Sequence, residues 1–215
     1  FSMSGNISDI LVADSDAIYL RHMKFDKQLN RLSQWTHHLL STSTLLDPNE
    51  AHRSHWFYGN GDFSRLPVAY EWLTRGSYGG FSTPLGRLLV FDAQRLWGVS
   101  WGEMALYTTN ITDIDHRLTK DFPEDTSKMT HQPLAETLPI HPRAMVKAGT
   151  VLYVAGYPAA SDVRHTYGKP ISDRGLLLQI DATDGTAIGE IDLPAAPMFD
   201  AMAAANGKLY ISMEN

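Results

Sequence analysis

An all-β fold built from small repeated sheets is what this sequence predicts, and three observations predict it. First, an apolar–aromatic–apolar phrase behind a turn recurs as Asp16-Ala17-Ile18-Tyr19-Leu20, Arg95-Leu96-Trp97-Gly98-Val99, Gly149-Thr150-Val151-Leu152-Tyr153-Val154 and Gly207-Lys208-Leu209-Tyr210-Ile211. Its aromatic residues stand at 19, 97, 153 and 210, so the last two intervals are 56 and 57 residues, a spacing typical of repeated supersecondary units. Second, short apolar runs are punctuated by Ala148-Gly149, Asp184-Gly185 and Asn206-Gly207, which are turn dipeptides. Third, no long amphipathic helix is found: Ala195 to Ala205 is alanine-rich, but Pro194, Pro197 and Gly207 bracket it tightly. Four-stranded units set radially, a β-propeller, leave such sheets only short protected edges. Counting hairpins gives about three to four blades. The expectation is therefore an incomplete ring: either a fragment of a longer protein or a part completed by another chain.

The elements follow in order. Residues 7–29 read as a hairpin: Ile10-Leu11-Val12-Ala13, a turn at Asp14-Ser15-Asp16, then a strand from Ala17 to Phe25 whose register slips near His22. His38 to Thr44 alternates serine and threonine, which suits an exposed strand face. Residues 48–84 hold eight aromatics (Trp56, Phe57, Tyr58, Phe63, Tyr70, Trp72, Tyr78, Phe81) and five glycines, with no sustained period beyond a short strand at His55 to Tyr58. They read as an insertion, and the 78-residue first interval places its excess there. Gly86 to Asp92, a turn at Ala93-Gln94-Arg95, and Leu96 to Trp101 form the next hairpin, followed by Ala105 to Thr109. Residues 110–143 carry four prolines (Pro123, Pro133, Pro139, Pro142) and read as a long surface connection. From Ala144 the pattern is strong. Val151 to Gly156, Gly175 to Asp181, Thr186 to Leu193 and Lys208 to Met213 all read as strands, with an insertion up to Arg174.

Composition narrows the function classes. With 24 acidic and 18 basic residues the net charge is -6, which argues against a nucleic-acid or anionic-membrane partner. No apolar run approaches the roughly 20 residues of a membrane span. With no cysteine there is no disulfide, thiolate zinc site, iron–sulfur cluster or c-type haem, and no cofactor is expected. The opening residues, with Met third, fit neither a signal peptide nor an ordinary start.

Two segments carry a resemblance. Leu178-Gln179-Ile180-Asp181-Ala182-Thr183-Asp184-Gly185-Thr186-Ala187-Ile188-Gly189-Glu190-Ile191, with the Tyr153 and Tyr210 strands, resembles the blade phrase of bacterial pyrroloquinoline-quinone-like propeller repeats. The likeness covers about residues 144–215, and the Trp that usually closes the phrase is absent. The run His52-Arg53-Ser54-His55-Trp56-Phe57-Tyr58-Gly59 is similar to a His-Arg-Ser-x-Trp-x-x-Gly phrase of large propeller-repeat proteins of planctomycetes and related bacteria. The resemblance implies a propeller scaffold in the periplasm or outside the cell. Quinone-binding members of the family use a vicinal cysteine pair or acidic metal ligands, neither of which this sequence places.

Candidate chemistry is sparse. His52, Arg53, His55, Trp56 and Tyr58 form the densest polar–aromatic cluster, suited either to stacking and hydrogen-bonding a carbohydrate or peptide, or to packing an inserted loop onto a blade. Arg164, His165 and Tyr167 lie between two firm strands and offer acid, base and charge neutraliser to a ligand on a propeller face, or a merely solvated loop. His37 and His38 are neighbours and would point to opposite faces of a strand. Asp14-Ser15-Asp16 and Asp181 with Asp184-Gly185 lack the ligand series of a calcium loop and read as turns. Gly76-Ser77-Tyr78-Gly79-Gly80 lacks the context of a phosphate loop. No metal site is expected. The function expected is a non-catalytic binding or scaffold module for a carbohydrate or protein ligand. The alternative is a polysaccharide-active propeller enzyme, lyase or hydrolase, using His52, Arg53, His55, His165 or Tyr167. A quinone-dependent dehydrogenase stands third.

Overall fold

The computed structural model describes residues 11–20, 23–33, 38–41, 56–59, 85–86, 88–99, 104–111, 132–135, 137–159 and 174–214. Within them every regular element is a β-strand, and the strands form five antiparallel sheets. The first sheet holds β1 (Val12–Ala13), β2 (Ile18–Leu20), β3 (Met23–Phe25) and β4 (Arg31–Leu32). The second holds β5 (His38–Ser41), β6 (Trp56–Gly59) and β7 (Leu85–Gly86). The third holds β8 (Leu88–Phe91), β9 (Arg95–Val99), β10 (Leu106–Asn110) and β11 (Gln132–Ala135). The fourth holds β12 (Ile140–Ala148), β13 (Val151–Pro158), β14 (Gly175–Asp181) and β15 (Ala187–Leu193). The fifth pairs β16 (Pro197–Ala205) with β17 (Lys208–Met213). Each sheet is a meander in which every strand pairs with its chain neighbour.

The sheets pack in chain order. The first strand of a sheet lies against the first strand of the next for β1 and β5, β8 and β12, and β12 and β16, while β6 lies against β8. Side chains alternate faces along a strand, and the inner sheets use both faces. In β13, Leu152 and Val154 enter the core shared with the third sheet, while Tyr153 and Ala155 turn to the fifth. In β14, Leu176 and Leu178 go one way and Leu177 the other. In β8, Leu88 joins the third–fourth core and Leu89 joins Tyr58, Leu96 and Tyr107 on the opposite side. Burial on both faces accounts for the unbroken run Leu176-Leu177-Leu178, which a half-exposed strand would not carry.

The hairpin turns use two devices. In the first and third sheets an aspartate closes the turn: Asp14 Oδ1 accepts from the N–H of Asp16 and Ala17 at 2.8 and 2.7 Å. Asp92 Oδ1 accepts from Gln94 and Arg95 at 2.8 and 2.9 Å. In the fourth and fifth sheets left-handed backbone does the same work, at Gly149 (φ 61°) and at Asn206 and Gly207 (φ 52° and 69°). Asp181 and Asp184 likewise accept turn N–H groups, from Thr183 at 2.7 Å and Thr186 at 2.8 Å. Asp14, Asp181 and Asp184 thus serve as turn residues.

Four sequence expectations change. Ala17 to Phe25 is two strands, β2 and β3, paired Leu20 to Met23, so the register slip near His22 marks a reversal of the chain. The stretch 48–84 is not wholly insertion: Leu39 pairs with Tyr58 and Phe57 with Leu85, which makes a sheet of its own. Tyr58 stands 39 residues after Tyr19 and 39 before Trp97, a fifth copy of the repeat, and all five aromatics lie on the second strand of their sheets. The polar connection 110–143 contains β11 and the start of β12. Proline fits there because β11 and β12 are sheet edges, where a missing N–H need break no ladder. The array therefore holds five sheets where hairpin counting gave three to four blades, and no sheet closes into a ring among the described residues.

Candidate functional site

Two groups of polar side chains among the described residues lie at sheet–sheet junctions. At the turn end of the third and fourth sheets, Trp97 on β9 donates its Nε1–H to the Ala182 carbonyl at 2.8 Å, a buried bond across 85 residues. Lys147, near the end of β12, places Nζ 5.0 Å over the Trp97 ring and 3.0 Å from Asp92 Oδ2. The same ammonium donates to the Gly149 carbonyl at 2.7 Å. One hairpin turn is thereby tied to the neighbouring sheet by a cation over an aromatic face and an ion pair. Burial raises the Asp92 carboxyl, but hydrogen bonds from Arg95 and Gln94 and the Lys147 charge outweigh it, so the group sits below its ordinary 3.8.

Toward the opposite end of β12 lie two side-chain pairs, His141 with Tyr157 and Arg143 with Glu214. His141 on β12 faces Tyr157 on β13 in register, with ring centroids 4.9 Å apart and planes tilted by 31°. The register shifts between Pro142 and Ala144, which makes Arg143 the extra residue of a β-bulge. The bulge turns its side chain inward to 4% exposure, where Nη1 donates to Glu214 Oε1 at 2.6 Å. Glu214, 26% exposed, follows β17 and is held by its own N–H donating to the Ala196 carbonyl at 2.8 Å. Gly156 lets β12 sit this close, because a Cβ there would run into the His141 carbonyl. Chemically this is a guanidinium–carboxylate pair, on a strand that also carries the stacked His141 ring. It can hydrogen-bond and orient a polar group, but arginine stays protonated and shuttles no proton.

Of the residues singled out from sequence, Tyr58 is on β6 and is 5% exposed. It packs with Leu89, Leu96 and Tyr107, and its ring lies 4.8 Å from that of Phe91, tilted by 55°. Burial pushes its phenol above the ordinary value of 10.0. Trp56 lies on the same strand, two residues earlier. His52, Arg53, His55, Arg164, His165 and Tyr167, with His37 and the Gly76–Gly80 loop, lie outside the described residues. His38 opens β5.

Sequence reading passed over His141, Arg143, Tyr157, Lys147 and Glu214. The signal was present at Arg143: a charge set inside the run Ile140 to Val146, between Pro142 and Ala144-Met145. A charge within an apolar strand marks a bulge or a paired buried ion. Among the described residues no group of three or more His, Cys, Asp or Glu is placed to hold a metal ion. Nor is any helix there long and apolar enough to cross a membrane. No protein-family model matches the chain, and no curated protein is similar to it at a meaningful level.

Proposed function

We propose that the chain is a non-catalytic module of the β-propeller kind, of the pyrroloquinoline-quinone-like repeat class, that binds or scaffolds a carbohydrate or protein ligand in the periplasm or outside the cell. The observation that carries the reading is the stacking of meander sheets in chain order, first strand on first strand at three of the four junctions, with β13 and β14 buried on both faces. Radially arranged sheets have that organisation. The repeat phrase supports it, since all five aromatics fall on second strands. Among the described residues, Lys147 and Asp92 fix a turn and Arg143 and Glu214 join two sheets, so these polar side chains act in the scaffold. A panel of glycans and peptides, read both for retention on immobilised protein and for product release, tests the proposal. Saturable retention without turnover is expected. Product that accumulates in proportion to protein concentration would move the chain to the polysaccharide-active class.

A further inference from the structure

The register of the sheets marks one sequence position that is polar in all five repeats. Each repeat aromatic pairs with a residue of the strand before it: Tyr19 with Val12, Tyr58 with Leu39, Trp97 with Val90, Tyr153 with Val146 and Tyr210 with Ala203. Three places before those partners the sequence has Asp9, Thr36, Arg87, Arg143 and Asp200. The two residues that follow are apolar in four of the five repeats. A position serving only the scaffold would keep one charge, whereas this one keeps its polarity and changes sign. Repeat arrays bind ligands on one shared face of successive units. Asp9, Thr36 and Arg87 lie outside the described residues, and Arg143 and Asp200 lie within them.

Both of these stand in irregular strand. Arg143 is the extra residue of its bulge. On β16 the register jumps from Pro197–Met213 to Met202–Ile211, which sets Met198 to Ala201 opposite Ser212 alone. Within that bulge Asp200 has a φ of 53°, left-handed backbone that a non-glycine residue rarely takes. Bulges re-aim side chains, and strain of this kind gathers at functional sites. The two bulges come together because β12 lies on β16. Arg143 reaches Glu214, whose N–H bonds to Ala196 beside the Pro197–Met213 rung, and the bulge that carries Asp200 begins at that rung. Glu214 joins the sheets through Oε1 and stays 26% exposed, and Asp200 is half-buried.

We propose that Asp200 and Glu214, the latter positioned by Arg143, bind hydroxyl groups of a neutral oligosaccharide. Hydroxyls donate to carboxylates in charge-assisted bonds, which are stronger than neutral ones. An acidic sugar would meet like charge at both carboxylates. A peptide adding as a strand needs a regular edge ladder, which the bulges of β12 and β16 interrupt. The inference rests on the reading of the chain as a binding module and assigns that module its ligand class.

The test titrates the full chain by calorimetry with cellohexaose, xylohexaose and maltohexaose, and with hexagalacturonate as the acidic contrast. Saturable binding of at least one neutral sugar is expected, with hexagalacturonate bound more weakly. Asp200→Gly removes the carboxylate and suits the left-handed backbone, so the thermal midpoint should hold or rise while affinity falls on the order of tenfold. Binding of a neutral sugar that is indifferent to Asp200→Gly overturns the site and leaves the binding module standing. Preference for hexagalacturonate, or retention of peptides with no sugar bound, does the same. If neither the sugars nor the peptides bind, the proposal and the module reading fall together.

Discussion

The two junctions that flank the fourth sheet differ in how they are held. Toward the third sheet, Trp97, Leu106, Leu152 and Leu178 belong to one continuous buried core, closed at the turn end by the Trp97, Lys147 and Asp92 contacts. Toward the fifth sheet the buried members are Ala155, Leu177 and Leu193, and the other packing residues, Tyr153, Met202, Leu209, Ile211 and Met213, are half-buried. There the Arg143–Glu214 pair does the joining. The difference is one of kind: the first junction is lined by fully buried side chains, whereas at the second a guanidinium–carboxylate pair adds a directional link to half-buried packing.

Trp97→Ala is the strongest way to break the comparison. It removes the ring that fills the third–fourth core and the N–H bonded to Ala182, and a loss of about 3–5 kcal/mol in urea unfolding is expected. A loss below about 1 kcal/mol would show that the core collapses around the gap. Arg143→Met comes next. Glu214 keeps some water access, so the loss should fall to about 1–3 kcal/mol, under the figure for a wholly buried pair. It should also speed amide exchange in β16 and β17 while leaving β8 and β9 protected, which separates the two junctions in one measurement.

Acid gives the smallest effect and sharpens the same contrast. Asp92 sits below its ordinary value in the fold, so its contribution is present above about pH 3.8 and is lost as the pH falls through the lowered value. Asp14 follows the same sign: burial raises it, but hydrogen bonds from Asp16, Tyr19 and Ala17 and the charge of Lys24 bring it down. Unfolding midpoints followed from about pH 5 to about pH 2.5 should drop, and Asp92→Asn should flatten that drop. An unchanged slope would mean that the Asp92 charge does not favour the fold.

Much of the fold could be read from the sequence, and the parts that could not share a cause. The hairpins around Asp92, Gly149 and Gly207 were readable because turn residue, strand period and aromatic phrase agree at each. The Tyr58 copy was hidden because Trp56 and Phe57 break the apolar–polar alternation. The start of β12 was hidden by Pro139 and Pro142, which signal a loop unless the strand is known to be a sheet edge, a fact of tertiary pairing. The candidate site was less accessible still. Arg143 and Glu214 are 71 residues apart, and only the bulge at Arg143 and the stacking of two sheets bring them together. Tyr58 was visible as an aromatic, but whether it faced core or ligand depended on β8 and β10, which are remote in the chain.

The strict meander, each strand beside its predecessor, has a consequence for synthesis. Among the described residues each strand pairs with the one made just before it, so no strand waits for a partner made later than its neighbour, and the entropic cost of closure grows only slowly with loop length. Each finished sheet then offers a face for the next, much as repeat arrays propagate from one unit to its neighbour. A ribosome delivering this chain from its N-terminus would release the sheets in the order in which they stack, and assembly could run in step with translation.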